Sequence, residues 1–243
     1  MSVHATELPV FLCHGAGADA GSCTGLARAL DAQGGLLGLA LSYPGRADVP
    51  GPPRESVTDV AAYVSECVVA RLGSAGAPHV VMGHSMGGAV ALEYALTAPA
   101  GLRALVLVST GARLRVHPSI LAALRPAEEG AGSPTPEEEA FARSVEPSPL
   151  TPRATALADW RAADAFDRMA HVHEVHTPTL ILVGDADQLT PLKYARFLHE
   201  RIAGSQLMVV PGAGHSLPTE QRTLVAQHVA AFLSTHVRAE APR

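Results

Sequence analysis

The sequence contains little lysine and little cysteine. Lys193 is the sole lysine among 18 Lys and Arg residues, and Asp and Glu number 23, which gives a net charge of −5. The chain therefore lacks the basic balance of a nucleic-acid-binding protein, and we expect no nucleic-acid partner. Three cysteines, Cys13, Cys23 and Cys67, are an odd number and widely spaced. They do not indicate a disulfide framework, and they favour a reducing compartment.

Long hydrophobic runs are also absent. No stretch approaches the roughly 18 apolar residues of a membrane-spanning helix, so no membrane segment is predicted. The first residues show no basic segment followed by an apolar one, so no signal peptide is predicted and we expect a cytoplasmic protein. What is present is a globular composition, with 243 residues of which 47% are hydrophobic and 17% charged. This is enough for one domain with a substantial core.

Six short apolar runs, each bounded by turn residues, are predicted to be β-strands. They are continuous rather than alternating, which is typical of parallel strands covered on both faces. They cover residues 9–13, 36–41, 79–82, 104–108, 179–183 and 207–210. Apolar residues three and four apart predict helices between most of these runs, at 20–32, 57–72, 86–96, 192–202 and 219–233. The alternation predicts an α/β fold with a mostly parallel sheet of about six strands flanked by helices.

Residues 111–177 interrupt this alternation, because no good strand is found in them. Helical patterns occur at 120–124, 137–144 and 154–169, with breaks at Pro126 and at 130–136. Such a stretch is too long for an ordinary strand-to-helix connection. We therefore predict a helical insertion at 111–177 between the fourth and fifth strands, and a core formed by residues 1–110 and 178–243. Residues 238–243 are predicted to be frayed.

The strongest motif is Gly83-His84-Ser85-Met86-Gly87-Gly88, which follows a predicted strand and opens a predicted helix. Glycines two positions before and after Ser85 permit a sharp turn that exposes the serine hydroxyl. The N-terminus of the following helix favours a developing oxyanion. The same spacing also occurs in ordinary glycine-rich turns, and the strand before it and the helix after it favour the nucleophile.

Three further loops follow predicted strands. They contain His14-Gly15-Ala16-Gly17, Gly184-Asp185-Ala186-Asp187 and Gly212-Ala213-Gly214-His215. Taken alone, each motif is also typical of a non-functional loop, since glycine and aspartate commonly form turns. Together they provide nucleophile, acid and base in the chain order Ser85, Asp187, His215, which is the order of α/β-hydrolases. All would lie at the carboxyl ends of parallel strands, where open α/β sheets bind ligands.

On these motifs the sequence resembles the α/β-hydrolase superfamily from Leu8 to Leu233, except in the insertion. The resemblance implies a nucleophile at Ser85, a base at His215 and an acid at Asp187, with Asp185 as the second choice. It implies oxyanion donors at the backbone N–H groups of Ala16 and Met86, and a helical cap at 111–177. The family's alternative acid position holds Ser109 and Thr110. Since only 13 residues precede His14, we expect the family's usual N-terminal hairpin to be missing and a reduced sheet of six parallel strands.

The resemblance implies a serine carboxylesterase that acts on small-to-medium esters through an acyl-enzyme and needs no cofactor. A cofactor-free haloperoxidase or perhydrolase, and a carbon–carbon hydrolase or lyase, would share every residue. Thioesters and lactones are alternative substrates, and a ligand receptor without enzymatic activity on the same scaffold is an alternative function. The sequence does not determine the physiological substrate or the oligomeric state. His171, His173 and His176 lack Cys or carboxylate partners at ligand spacing, so no metal is predicted. We expect Trp160, Phe166 and Met169 to pack the cap onto the sheet, one or two of them lining the acyl pocket, and His14 to be structural.

Overall fold

The computed structural model describes residues 7–125 and 147–237. Its centre is a six-stranded sheet in which every pair of neighbouring strands is parallel, in the order β2-β1-β3-β4-β5-β6. The strands are β1 (Leu8–Cys13), β2 (Leu36–Ala40), β3 (His79–His84), β4 (Leu102–Val108), β5 (Thr179–Gly184) and β6 (Gln206–Val210). The predicted α/β class and the six parallel strands are confirmed.

The strand order reverses between β1 and β3. The chain passes from β1 to β2 on one side and then returns to place β3 on the other side of β1. The helices that follow β1 and β3 therefore lie on opposite faces of the sheet, and open α/β sheets bind ligands at the carboxyl ends of strands at such a reversal.

Helices cover both faces of the sheet. The residues of α2 (Val57–Leu72), α3 (Met86–Leu96) and α6 (Leu192–Arg201) contribute to one hydrophobic cluster, and those of α1 (Gly21–Asp31) and α8 (Arg222–His236) contribute to the other. The helix α7 (Leu217–Glu220) precedes α8 directly. The four strands β1, β3, β4 and β5 supply buried residues to both clusters, so their continuous apolar runs are buried on both faces.

The helix α2 shows how the sequence specifies such an element. Ser56 precedes its first turn and accepts a hydrogen bond from the N–H of Asp59 at 3.1 Å, and Gly73 ends it in a left-handed conformation with φ of 76°. Its buried residues recur every three or four positions: Val57, Val60, Ala61, Val64 and Val68. Burying each valine contributes on the order of 1.5–3 kcal/mol, which outweighs the modest helix propensity of β-branched residues.

The described residues between β4 and β5 include the helices α4 (Pro118–Leu124) and α5 (Arg153–Ala165), followed by a 3₁₀ turn at Val172–Glu174. Residues of α4 and α5 form a third hydrophobic cluster that includes Ile120 and Trp160 and that Ala16 contacts. These helices therefore pack beside the loop that follows β1.

Two helix predictions were wrong at their boundaries. The pattern at 154–169 ends at Ala165, because residues 166–168 instead pair with residues 112–114: the N–H of Arg168 donates to the carbonyl of Ala112 at 2.7 Å. This pairing also buries the Phe166 side chain in the cluster of α2 and α3. The pattern at 219–233 is divided at Gln221 into α7 and α8. The predictions at Pro126, 130–136, 137–144 and 238–243 lie outside the described residues. Within 7–125 and 147–237, no helix is long and apolar enough to cross a membrane.

Candidate active site

Ser85 lies in the sharp turn between β3 and α3. Its φ of 56° and ψ of −122° are rare for a residue with a side chain and cost about 1–3 kcal/mol. Two hydrogen bonds hold the turn: the Ser85 N–H donates to the carbonyl of Val108 at 3.0 Å, and the Thr110 hydroxyl donates to the carbonyl of Ser85 at 2.7 Å. Thr110, at the family's alternative acid position, therefore supports the backbone of Ser85.

The glycines of the motif are required by close backbone approach. A Cβ atom at Gly83 would lie 1.9 Å from the carbonyl oxygen of Gly87, and one at Gly87 would lie 2.1 Å from the carbonyl oxygen of Cys13. Any side chain at either position would force the turn apart. The structure thus contains the strained turn that the spacing of glycines around Ser85 predicts.

His215 and Asp187 meet at the carboxyl ends of β6 and β5. The Nδ1 atom of His215 lies 3.0 Å from Oδ2 and 3.1 Å from Oδ1 of Asp187. With Nδ1 directed at the carboxylate, Nε2 is the nitrogen that is available to Ser85, and His215 and Ser85 line the same two cavities. The structure therefore brings Ser85, Asp187 and His215 together, although Ser85 and Asp187 are more than 100 positions apart in the sequence.

Asp187 is held by its own loop. The N–H groups of Leu189 and Thr190 each donate to Oδ1 at 2.9 Å, and the Thr190 hydroxyl donates to Oδ2 at 2.8 Å. Burial by itself would raise the pKa of Asp187, but the hydrogen bond and charge of His215 and the donors of Thr190 outweigh it and hold the pKa below its usual value. The carboxylate is thus fixed in place and ionised.

Asp185, the second choice for the acid, lies elsewhere. Its Oδ1 accepts a hydrogen bond from the N–H of Gly212 at 2.7 Å, and its side chain is exposed. The geometry therefore places Asp187 rather than Asp185 beside His215, and gives Asp185 the role of joining the turns after β5 and β6.

His84, which immediately precedes Ser85, contacts the base through the backbone. Its Nε2 lies 2.8 Å from the carbonyl oxygen of His215, and the two rings are 5.0 Å apart. Burial, with a smaller effect of nearby His215, lowers the pKa of His84 to about 3. The ring is therefore neutral at physiological pH and donates its Nε2 proton to that carbonyl, which fixes the loop that carries His215.

The loop after β1 carries the other predicted oxyanion donor. Among the described residues, the N–H groups of Ala16 and Met86 have no protein acceptor, so both are available to a ligand. His14 is fully buried, its ring centre lies 4.0 Å from that of Tyr43, and burial lowers its pKa to about 3. These contacts agree with the structural role predicted for His14.

This loop is bonded to the insertion rather than to the sheet. The N–H of Gly17 donates to Oδ2 of Asp159 at 2.9 Å, and the carbonyl of Gly17 accepts from the N–H of Ser148 at 2.9 Å. Asp159 also forms a fully buried ion pair with Arg46, whose Nε donates to the carbonyl of Ala18 at 2.6 Å. A charged pair in the protein interior is favourable only with such additional hydrogen bonds.

Two cavities flank Ser85. The first, of about 380 Å³, is lined by apolar residues that include Leu114, Ile120 and Trp160, and by the cations Arg115 and Lys193. The second, of about 550 Å³, is lined by the loop after β1 and by Glu220. Trp160 and Ser85 line both. A substrate with two parts can therefore place one on each side of the serine hydroxyl.

Trp160 and Phe166 lie in two different places. Trp160 lines the cavities, whereas Phe166 is buried in the core with Met169 packed against the same cluster. His171 lies 3.0 Å from Glu174 on the surface. Within the described part of the chain, no group of three or more His, Cys, Asp or Glu residues is arranged to hold a metal ion.

Thr190 and Asp159 were not predicted from the sequence. The sequence could have indicated the role of Thr190, because an aspartate in a turn often accepts hydrogen bonds from backbone N–H groups two or three residues later. No local pattern could have indicated the role of Asp159, since its partners, Gly17 and Arg46, are more than 100 residues away in the sequence.

A model of the alpha/beta hydrolase family matches residues 10–228 of this chain. The chain belongs to the α/β hydrolase family. Its solved and curated relatives include proteins named as esterases, which supports a hydrolase.

Three curated relatives differ in how much of their length the chain matches. The chain is 30% identical over 223 residues to the polyketide synthase ThaQ of Burkholderia thailandensis, covering 81% of this chain and only 10% of the synthase. It is 25% identical over 178 residues to the uncharacterized hydrolase YugF of Bacillus subtilis, covering 63% and 64%. It is 28% identical over 237 residues to the pimeloyl-[acyl-carrier protein] methyl ester esterase of Neisseria meningitidis, covering 85% of each.

Among solved structures, a thermophilic esterase is 33% identical to this chain. It matches with a TM-score of 0.73 over 94% of this chain and 90% of its own.

Proposed function

We propose that the protein is a serine carboxylesterase that cleaves small-to-medium esters with Ser85, His215 and Asp187. The observation that carries the proposal is the strained turn at Ser85, in the same cavity as a histidine whose Nδ1 is directed at a fixed carboxylate. Methyl ester cleavage in the name of the Neisseria relative and the thermophilic esterase at 33% identity support ester substrates.

In the proposed first half-reaction, Ser85 Oγ attacks the ester carbonyl carbon while His215 Nε2 takes its proton. Asp187 holds the imidazole in the tautomer with the proton on Nδ1 and stabilises the imidazolium that forms. The N–H groups of Ala16 and Met86 donate to the tetrahedral oxyanion, which stabilises the transition state by about 3–4 kcal/mol per donor in comparable sites. His215 then gives its proton to the leaving alcohol, and the acyl group stays on Ser85.

The second half-reaction reverses these roles with water. His215 takes a proton from a water molecule as its oxygen attacks the acyl carbon, and the same two N–H groups hold the second oxyanion. The bond to Ser85 breaks, Oγ regains a proton from His215, and the carboxylic acid leaves. Every proton that moves is carried by His215.

The test combines labelling with turnover. A fluorophosphonate should modify Ser85 alone, as peptide mapping would show, and 4-nitrophenyl esters of two to eight carbons should be hydrolysed with a burst followed by steady turnover. The variant Ser85→Ala should lose both. Labelling at another serine, or none under conditions in which a known serine hydrolase reacts fully, contradicts the nucleophile. A burst without steady turnover favours the receptor alternative.

A further inference from the structure

The first cavity carries positive charge in a protein of negative net charge. Arg115 and Lys193 both line it, and among the residues that the structure describes no aspartate or glutamate does. The chain as a whole has a net charge of −5, and Lys193 is its sole lysine. The second cavity differs, since it is lined by Glu220.

Neither cation has an ionic partner among the described residues. Among the described residues, Arg115 and Lys193 form no ion pair, and the contact of Arg115 is a long one of 3.4 Å from Nη1 to the carbonyl of Asp164. Nζ of Lys193 lies 5.8 Å from the ring centre of Tyr194. Lys193 is also in the first turn of α6, where a positive charge is opposed by the helix dipole. The stability of α6 therefore does not explain a lysine at this position.

The two cations come from different parts of the fold. Arg115 precedes α4 in the segment after β4, and Lys193 follows the loop that carries Asp187. Both side chains are exposed, whereas Leu114, Ile120 and Trp160 of the same cavity are buried. A ligand that fits has an apolar part beside Ser85 and a negative group at the solvent side.

From this arrangement we propose that the first cavity is a subsite for an anionic group, so that the preferred substrates are esters carrying a carboxylate or phosphate on their acyl or alcohol part. The inference rests on the proposed esterase function, since the bond cleaved is the one presented to Ser85. Arg115 and Lys193 act as specificity-determining residues: they hold the negative group and take no part in the chemistry. Arginine and lysine both bind carboxylate and phosphate, arginine with two donors where geometry allows.

The test compares anionic and neutral esters of matched size. On the acyl side, mono(4-nitrophenyl) glutarate is compared with 4-nitrophenyl pentanoate; on the alcohol side, 4-acetoxybenzoate is compared with 4-acetoxybenzamide. The ratio of kcat/KM within each pair is measured for the wild type, for Arg115→Gln, for Lys193→Gln and for the double variant. Arg196→Gln is the control, because Arg196 is equally exposed on the same helix and does not line the cavity.

In at least one pair, the anionic preference should fall about three- to fivefold in each single variant and about tenfold in the double variant. Salt should reduce the wild-type preference because these charges are exposed. Arg196→Gln should leave the ratio within about twofold of the wild type. A ratio in the double variant equal to that of the wild type in both pairs overturns the subsite. The pair that responds identifies which side of the ester occupies the first cavity.

A binding measurement separates this inference from the proposed reaction. Calorimetry with Ser85→Ala compares each anionic ester with its neutral partner without cleavage. Tighter binding of an anionic ester, lost in Ser85→Ala combined with the two glutamine substitutions, supports the subsite even when turnover is absent. If the wild type cleaves none of the four esters, the proposed function is contradicted. If Ser85→Ala binds the anionic and the neutral ester of each pair with equal affinity, the anion subsite is overturned.

Discussion

At the scale of single residues, strain and close approach explain why the sharp turn at Ser85 was predictable. Its positive φ needs glycines at positions 83 and 87, and those glycines are visible in the sequence. Asp187 was harder, because Asp185 stands two residues away in the same turn. Only the folded loop shows that Asp185 bonds to Gly212 while Asp187 faces His215.

The two aspartates give the first prediction. Asp187→Asn should lower kcat by about 10³–10⁴, because an amide does not hold the His215 tautomer that accepts the Ser85 proton. Asp185→Asn, the matched control, should change kcat less than about threefold, since it touches only the N–H of Gly212. Steady-state kinetics with a 4-nitrophenyl ester measures both. A severe loss in Asp185→Asn with a mild one in Asp187→Asn would reverse the assignment.

The buried histidines give a prediction for stability against pH. Burial lowers the pKa of His14 and of His84 from the ordinary value of 6.5 to about 3. The unfolded chain therefore binds protons below pH 6.5 that the folded chain does not. The contribution of each neutral ring to the free energy of unfolding is complete above pH 6.5 and falls by about 1.4 kcal/mol per pH unit towards pH 3.

This loss is measurable in a variant. His84→Gln keeps a donor for the carbonyl of His215 and removes the titrating ring. Between pH 7.5 and 5, its free energy of unfolding in urea should fall about 2 kcal/mol less than that of the wild type. His173→Gln, at an exposed position, is the control and should follow the wild type. Parallel pH profiles for His84→Gln and the wild type would contradict a buried neutral ring.

At the scale of helices and loops, α5 connects the insertion to the loop after β1. Asp159 of α5 binds Gly17 and Arg46. Because Ala16 directly precedes Gly17, we expect the position of the Ala16 N–H to depend on α5, which lies outside the sheet. We expect Asp159→Asn to lower stability by about 3–5 kcal/mol, because it leaves Arg46 charged and buried without its partner. Urea unfolding measures this.

A double variant keeps the prediction about Asp159 testable if the single variant is too unstable. Arg46→Met with Asp159→Leu removes both charges and should retain most of the stability. Its kcat should still fall about 10- to 100-fold, because Gly17 loses its acceptor and the neighbouring oxyanion donor is misplaced. Thr155→Val, which removes a 2.8 Å bond from the same helix to the carbonyl of Gly45, is the control for turnover. Wild-type kcat in the double variant would show that Asp159 does not position the loop.

The same helix predicts acyl-chain selectivity. Trp160 of α5 lines both cavities, so Trp160→Ala should extend the cavity and shift the preferred acyl chain to greater length. The wild type should prefer chains shorter than twelve carbons. Trp160→Phe should shift the preference less, and both variants should keep fluorophosphonate labelling at Ser85. Values of kcat/KM for esters of two to sixteen carbons measure the profile, and an identical profile in Trp160→Ala removes Trp160 from the selecting pocket.

Strands and helices of the sheet region were predictable because their signals are local. Continuous apolar runs indicate buried parallel strands, and the residues of α2 repeat every three or four positions. The end of α5 was not predictable, because the chain leaves the helix at Phe166 to pair with residues 112–114, about 50 positions earlier. A signal that depends on a distant partner is absent from the local pattern.

At the scale of the whole molecule, the order of the strands decides where the site lies. The reversal between β1 and β3 places the loops with Ala16 and Ser85 side by side, and β5 and β6 bring Asp187 and His215 to the same end. The sheet and its polarity followed from the sequence, since alternating strands and helices permit few topologies. The first cavity did not, because its walls combine residues from the segments 114–120 and 188–194 with Trp160, whose proximity no periodic pattern encodes.

The hydrogen bonds of Gly17 with Asp159 and Ser148 restrict how this enzyme can be re-engineered by exchanging modules. A chimera that takes residues 111–177 from another family member would bring new walls to the cavities. Where the new segment lacks an aspartate at position 159, it would also remove the acceptor of the Gly17 N–H and leave Arg46 without a counterion. Such grafts should become active only when position 46 is exchanged together with position 159, so the exchangeable unit consists of residues 111–177 and residue 46.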